Sequence, residues 1–367
     1  MNIPDAACTG CMACAAACPM GAGEPVLTRS EDERGFYVPK IDEARCIGCG
    51  RCEAVCPAKH PVAKAEGQVY ACRTRDPATL SASSSGGVFM ELASDVLAAG
   101  GVAAGAAFDE DLRVVHIVVD SPEKLRRLQG SKYVQSDMSA VYAPLKAALD
   151  AGRPALFSGT PCQAAAVRRV FGDNAGLLVA DLLCHGTPSM AVFRAYLEWT
   201  RQEAGFGKID GVKFRLKKPG WKTYSVEVSS GGRTVARLSK QDPYIRGFLG
   251  GLYLRECCYG CQYAGPRRVG DLTIADYWGY SKEPDGFEDD DRGISLVMVN
   301  TDKGAEAFGK MEGRIDSVRR DIADAAKHNW VLHDPSARSE RSGDFWAGLG
   351  KVPFGSLVAQ GLAAREK

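Results

Sequence analysis

"ALFSGTPCQAAAVRRVFG" (residues 155–172) decides the fold class. A short apolar run ends in a Gly-Thr-Pro turn, and a helical pattern starts at Pro161. Proline suits a first helical turn because its missing N–H has no intrahelical partner to lose. "GLLVADLLCHGTPS" (176–189) repeats the plan: a buried apolar run, a loop, then the amphipathic "MAVFRAYLEWTRQEAG" (190–205). Apolar strands alternating with helices indicate an α/β body, with ligands gathered at the strand C-terminal ends. Upstream, "VAAGAAF" and "VVHIVV" read as strands, and "SPEKLRRLQ" and "MSAVYAPLKAALDAG" as helices. Downstream, "GVKFRLKKPGWKTYSVEVSSGG" reads as a β-hairpin or meander, "DLTIADYWG" and "ISLVMVNT" as strands, and "VPFGSLVAQGLAAREK" as a short helix.

The first sixty residues follow another plan. Cys8, Cys11, Cys14 and Cys18 precede Pro19; Cys46, Cys49, Cys52 and Cys56 precede Pro57. Both runs are C-x2-C-x2-C-x3-C-P, the bacterial ferredoxin spacing, in which three cysteines hold one [4Fe–4S] cluster and the fourth reaches across to the other. The expected sets are Cys8, Cys11 and Cys14 with Cys56, and Cys46, Cys49 and Cys52 with Cys18. Four-cysteine sites also hold zinc, but two complete halves favour paired clusters. Gly10, Gly48 and Gly50 leave room for backbone amides near cluster sulfur. "TRSEDERGFYVPKID", between the halves, reads as a polar turn with a short strand.

Six of the fourteen cysteines lie outside these runs: Cys72, Cys162, Cys184, Cys257, Cys258 and Cys261. Cys162 and Cys184 each follow an apolar strand, and Cys258 and Cys261 form C-x-x-C in a loop before "DLTIADYW". Four thiols gathered by loops suit a third cluster held by Cys162, Cys184, Cys258 and Cys261. Cys257 in place of Cys258, a reactive Cys162 thiol at a helix N-terminus, and plain buried cysteines are the competing readings. Cys72 reads as structural. "SSSGG" (83–87) feeds the helical run "VFMELASDVLAAGG" and offers hydroxyls and amides to an anion such as phosphate, or simply caps the helix.

Composition narrows the function class. The chain has 367 residues, 45% apolar and 25% charged, with a formal net charge of +1. That gives no global attraction to nucleic acid or anionic membrane. "LASDVLAAGGVAAGAAF" contains Asp95 and three glycines and is too short for a membrane span. The N-terminal residues carry no basic and apolar leader. Fourteen cysteines without one point to metal ligands or redox groups in a cytoplasmic protein, and not to a disulfide framework.

"SSSGGVF", "GSKYVQS", "LFSGTPCQ", "DLLCHGTPS" and "CYGCQYAGPRRVGDLTIADYWG" stand in an order and spacing that resembles the coenzyme F420 hydrogenase/dehydrogenase beta-subunit family. The resemblance covers roughly residues 69–340, plus the ferredoxin head that many members carry. It implies an α/β (α+β) body with a mixed sheet that holds a flavin, FAD or FMN, beside an iron–sulfur cluster. By residue, it implies that Ser84, Ser85, Gly86 and Gly87 line the flavin phosphate or ring. Ser131, Lys132 and Tyr133 would face the flavin, with Lys132 as a cation near its electron-rich edge. Ser158, Gly159 and Thr160 would form the turn beneath it. Asp276, in "ADYWG", is expected to be structural or to orient the site. The expected domains are a ferredoxin head (1–66), a linker (67–82), the flavin and iron–sulfur body (83–340) and a tail (341–367).

Such parts make an oxidoreductase. It would pass electrons among [4Fe–4S] clusters, a flavin, and a reduced donor (ferredoxin or a deazaflavin) or an organic acceptor. The alternative is an electron-transfer subunit whose catalytic site lies on another chain. A redox partner protein is expected either way, and a small-molecule substrate fits the first. His185, beside Cys184, is the candidate proton donor, or a histidine that hydrogen-bonds its loop. "RLKKPGWK" (215–222) suits an acidic substrate or a donor protein, or is a solvated hairpin tip. Arg267 and Arg268 are placed to meet cluster charge or a flavin phosphate.

Overall fold

In the computed structural model, which describes residues 5–21, 23–281 and 286–363, the two apolar runs of the opening stretch become adjacent parallel strands. The strands are β1 (Leu27–Glu31), β2 (Tyr37–Ile41), β3 (Gln68–Thr74), β4 (Val102–Phe108), β5 (Val114–Val119), β6 (Ala155–Gly159) and β7 (Leu177–Leu182). They continue with β8 (Gly211–Leu216), β9 (Ser225–Ser230), β10 (Arg233–Leu238), β11 (Leu272–Asp276), β12 (Ser295–Val299) and β13 (Ile315–Arg320). An eight-stranded sheet has the order β13-β3-β12-β11-β7-β6-β4-β5. Its centre, β11-β7-β6-β4, is parallel, and the flanking pairs are antiparallel. The body is therefore a mixed α/β sheet. Leu177, Val179, Leu156 and Phe157 are fully buried, as expected for central parallel strands covered on both faces.

The helix after β6, Pro161–Phe171, starts where the sequence places it. Thr160 and Gln163 form a reciprocal capping box, and Pro161 occupies the first turn. The helix Met190–Glu203 is capped by the Ser189 hydroxyl. The hairpin region is a separate three-stranded sheet, β10-β9-β8.

Two expected boundaries move. Residues 67–82 are not a linker: they hold β3, which lies between β12 and β13, and the helix Pro77–Ala82. Polar composition concealed the strand, yet Val69, Ala71 and Cys72 are buried at 3% exposure or less, and Cys72 is structural as read. The tail is not an appendage either. Helices Ser342–Gly348 and Phe354–Leu362 bury Phe345, Phe354 and Val358 in one core with Tyr196, Tyr244 and Tyr253. Residues 364–367 of that tail lie outside the described residues. No helix among the described residues is long and apolar enough to cross a membrane.

β1 and β2 form a hairpin that docks the head on the body. The Tyr37 amide donates to Gln135 Oε1 (2.7 Å), and its carbonyl accepts from Gln135 Nε2 (3.2 Å) and from Arg255 (3.0 Å). Arg194 forms a two-bonded pair with Glu31. Gly10 sits in this seam at φ 68°, where a Cβ would strike the Tyr37 carbonyl and the Gln135 amide. Its lack of a side chain thus serves the docking.

Candidate metal centres

Each cysteine run of the head folds as a tight loop followed by a single helical turn, Ala13–Ala16 in the first and Arg51–Ala54 in the second. Cys18, Cys46, Cys49 and Cys52 line one pocket. Cys8, Cys11, Cys14 and Cys56 line another. The structure thus brings together the two crossed sets named from the spacing. Thiols that ring a cavity fit a four-iron cubane, whose ligands sit at its corners.

The two cages differ in surroundings. Cys46 and Cys49 are exposed, and Ile47 between them is 61% exposed. Cys11, Cys14 and Cys56 are buried, and burial pushes the Cys11 thiol up to about 11. The inner cage faces the body: the Tyr142 hydroxyl donates to the Cys11 carbonyl (2.7 Å), and Arg255 Nε donates to the Cys8 carbonyl (2.7 Å).

In the body, Cys162, Cys184, Cys258 and Cys261 come together, and Cys257 joins them. Each is close enough to act electrostatically on others of the group. Cys162 follows β6, Cys184 follows β7, and Cys257 and Cys258 lie on the 3-10 turn Glu256–Cys258. Burial pushes the Cys162 thiol well up despite its place in a first helical turn. A reactive thiolate needs the opposite shift. In the neighbouring pair, a hydrogen bond from Cys258 and the charge of Arg255 hold Cys257 below the usual thiol range, while Cys258 is raised. Cys257 also acts on Cys8 of the inner cage.

The residues carried over from the family resemblance have the following places. The Ser84 hydroxyl meets the amide (2.8 Å) and hydroxyl (3.0 Å) of Ser131. Ser85 donates to the Ile294 carbonyl, and the Gly86 amide donates to the Ser295 hydroxyl. Gly87 is left-handed at the N-cap of Val88–Ala98. Lys132 Nζ donates to the carbonyls of Arg127 and Gln129, and burial lowers its pKa to about 7. Tyr133 stacks on Phe248, with ring centroids 5.1 Å apart. Gly159 abuts the Phe157 ring and the Gln163 side chain, and Thr160 is the cap already described. His185 directs Nε2 at the Phe248 carbonyl (2.9 Å), and burial lowers its pKa.

Ser158 offers its carbonyl to His116 Nε2 (3.1 Å), while His116 Nδ1 meets the Ser136 hydroxyl (2.6 Å). These partners suit a neutral ring that donates from Nε2. Burial lowers the His116 pKa to about 4, below the ordinary 6.5. Between those values the unfolded chain binds more protons, so stability falls as pH drops from 6.5 toward 4. The full window is worth about 3 kcal/mol. Melting curves between pH 6.5 and 5 will show a smaller loss for His116→Gln than for the wild type.

"RLKKPGWK" is not a solvated tip. Regular alternation would turn Arg215 outward with Lys213, but a register shift between Lys213 and Leu216 turns it inward. Arg215 makes a two-bonded pair with Asp276 (2.7 and 3.1 Å), which also accepts from Trp221 Nε1 (2.7 Å). The guanidinium packs over Tyr224 and donates to the Tyr133 hydroxyl and the Ser84 carbonyl. Its Nε is buried with no partner among the described residues. Lys217 Nζ donates to the carbonyls of Leu80 and Ser85. Arg268, expected to meet cluster charge or phosphate, is enclosed: it pairs with buried Asp181, donates to the carbonyls of Tyr263 and Leu182, and its charge also reaches the Cys184 and Cys261 thiols. Arg267 donates to the Lys64 carbonyl. Alternation alone does not find Arg215; only the bulge reveals it.

Residues 69–143 match the family model for the N-terminal part of the coenzyme F420 hydrogenase/dehydrogenase beta subunit, and residues 153–321 match its C-terminal model. The chain belongs to this beta-subunit family. Residues 7–60 match a 4Fe-4S dicluster domain, so this member carries an N-terminal ferredoxin head. Among solved structures, it is similar to a chain of the F420-reducing [NiFe] hydrogenase complex from Methanosarcina barkeri. The TM-score is 0.50 at 16% identity, over 74% of this chain and 89% of that one. No curated protein matches the chain. The family assignment makes this an iron–sulfur protein of redox type, with the mixed α/β fold that the structural likeness supports.

Proposed function

We propose that this beta-subunit family member is an iron–sulfur flavoprotein oxidoreductase. It passes electrons singly between a redox partner protein, docked at the exposed cage of the head, and a flavin in the body. The observation that carries the reading is the arrangement of thiols: an outer cage open to solvent, a buried inner cage, and a third group of cysteines packed against the inner one. Cys18, Cys46, Cys49 and Cys52 would hold the outer cluster, and Cys8, Cys11, Cys14 and Cys56 the inner one. Cys162, Cys184 and Cys261, with Cys257 or Cys258, would hold the third. A flavin, when bound, exchanges electron pairs with a substrate and single electrons with clusters. The unpartnered Arg215 Nε and the carbonyl-bound Lys132 fit acceptor atoms of such a group. An anion beside Lys132 would keep it protonated at neutral pH. The likeness to a chain of a hydrogenase complex equally supports a subunit whose substrate chemistry lies on a partner chain.

Iron, acid-labile sulfide and flavin per chain, measured on protein purified without oxygen, test this. About twelve iron, at four per cluster, with one flavin is the expected result. About eight iron with no flavin, even after reconstitution with FAD, would reduce the protein to an electron carrier. Cys162→Ser, Cys184→Ser and Cys261→Ser should each remove about four iron. Comparing Cys257→Ser with Cys258→Ser identifies the fourth ligand. A self-sufficient reductase turns over an organic acceptor with an artificial donor, whereas a subunit reduces only dyes and co-purifies with a partner.

A further inference from the structure

Tyr263 lies two residues past Cys261, at the seam between the inner cage and the body thiols. It is 4% exposed and belongs to one packed cluster with Cys11, Met12 and Ala13 of the head, against which Cys162 and Cys261 also pack. Cys162, Cys11, Cys261 and Cys56 all lie close enough to act electrostatically on its hydroxyl. Its backbone is pinned, because the Tyr263 carbonyl accepts from Arg268 (2.8 Å). Yet that hydroxyl is buried with no hydrogen-bond partner among the described residues. Buried hydroxyls in folded proteins are paired, and one that is not marks a missing partner. Neighbouring Tyr142 shows the contrast: it is buried in the same cluster, but its hydroxyl already donates to the Cys11 carbonyl (2.7 Å).

We propose that the Tyr263 hydroxyl donates a hydrogen bond to a sulfur of the body cluster, while its ring fills the gap between that cluster and the inner cage. Tyr263 is thus a positioning residue that sets the body cluster's reduction potential. The assignment rests on the three-cluster reading above. The sign follows from charge. Reduction makes a cluster more negative, a donor to its sulfur stabilises that state, and hydrogen bonds to sulfur are among the factors that set cluster potentials.

The test is an EPR-monitored redox titration of the anaerobic holoprotein, with the body signal assigned by its loss in Cys184→Ser. Tyr263→Phe keeps the ring and removes only the hydroxyl. Its iron content should match the wild type, while the body cluster's potential falls by up to tenfold in the one-electron equilibrium, 59 mV for n = 1. Tyr142→Phe should leave that potential in place, because its hydroxyl serves a carbonyl. Full iron with an unchanged body potential in Tyr263→Phe overturns the proposal. A wild type holding only about eight iron removes the body cluster itself, and the failure then belongs to the cluster reading. A variant that loses iron shows a structural role and also overturns the assignment.

Discussion

Cys46→Ser combined with Cys56→Ser should leave about four iron on the protein, by four iron per cluster, although both residues come from the same cysteine run. Cys46 lines the outer cavity with Cys18, Cys49 and Cys52, whereas Cys56 lines the inner one with Cys8, Cys11 and Cys14. The double variant therefore breaks both head cages and spares the body thiols. If each run held its own cluster, the same two changes would break one cage and leave about eight iron. Iron and sulfide analysis of the anaerobic protein separates the two outcomes. Cys56→Ser alone should remove about four iron and disconnect the outer cage from the body.

The second large effect is expected from a residue outside the cysteine sets. Arg268→Ala should destabilise the protein by about 3–5 kcal/mol, the usual cost of removing one partner from a buried ion pair. Arg268 and Asp181 side chains are 1% and 0% exposed. Asp181 keeps its bonds from the Val269 and Gly270 amides and from Thr273, but loses its countercharge. The same guanidinium donates to the Leu182 carbonyl, two residues before Cys184, and to the Tyr263 carbonyl, two residues after Cys261. It therefore ties together two segments that carry body thiols. Chemical denaturation measures the first effect. Loss of about four iron, beyond what Arg268→Lys causes, measures the second. Wild-type stability in Arg268→Ala would refute the argument.

The sequence is most legible where chemistry is local. Two runs of C-x2-C-x2-C-x3-C-P name both head sets, because a tight loop with three thiolates leaves the fourth cysteine pointing elsewhere. The capping box at Thr160 and Gln163 and the β6-turn-helix unit are written within a dozen residues. Cys162 and Cys184 could be paired in advance because both follow parallel strands, and the ends of parallel strands meet. Local composition fails for β3, whose polar flanks suggest a linker although its partners β12 and β13 lie more than two hundred residues away. It fails again for Arg215, where one bulge reverses the face.

By itself, then, the sequence determined most of the central elements and the cysteine runs of the head, because spacing and periodicity are properties of neighbouring residues. Only the tertiary structure decided which cage is buried and which is open, and that Arg215 and Arg268 are interior ion pairs and not surface cations. It also decided that the Tyr263 hydroxyl, between two thiol groups, has no hydrogen-bond partner among the described residues. Each of these depends on which distant segments meet in a low-dielectric interior. There an unpaired charge or hydroxyl is costly, and what lies opposite it settles its role.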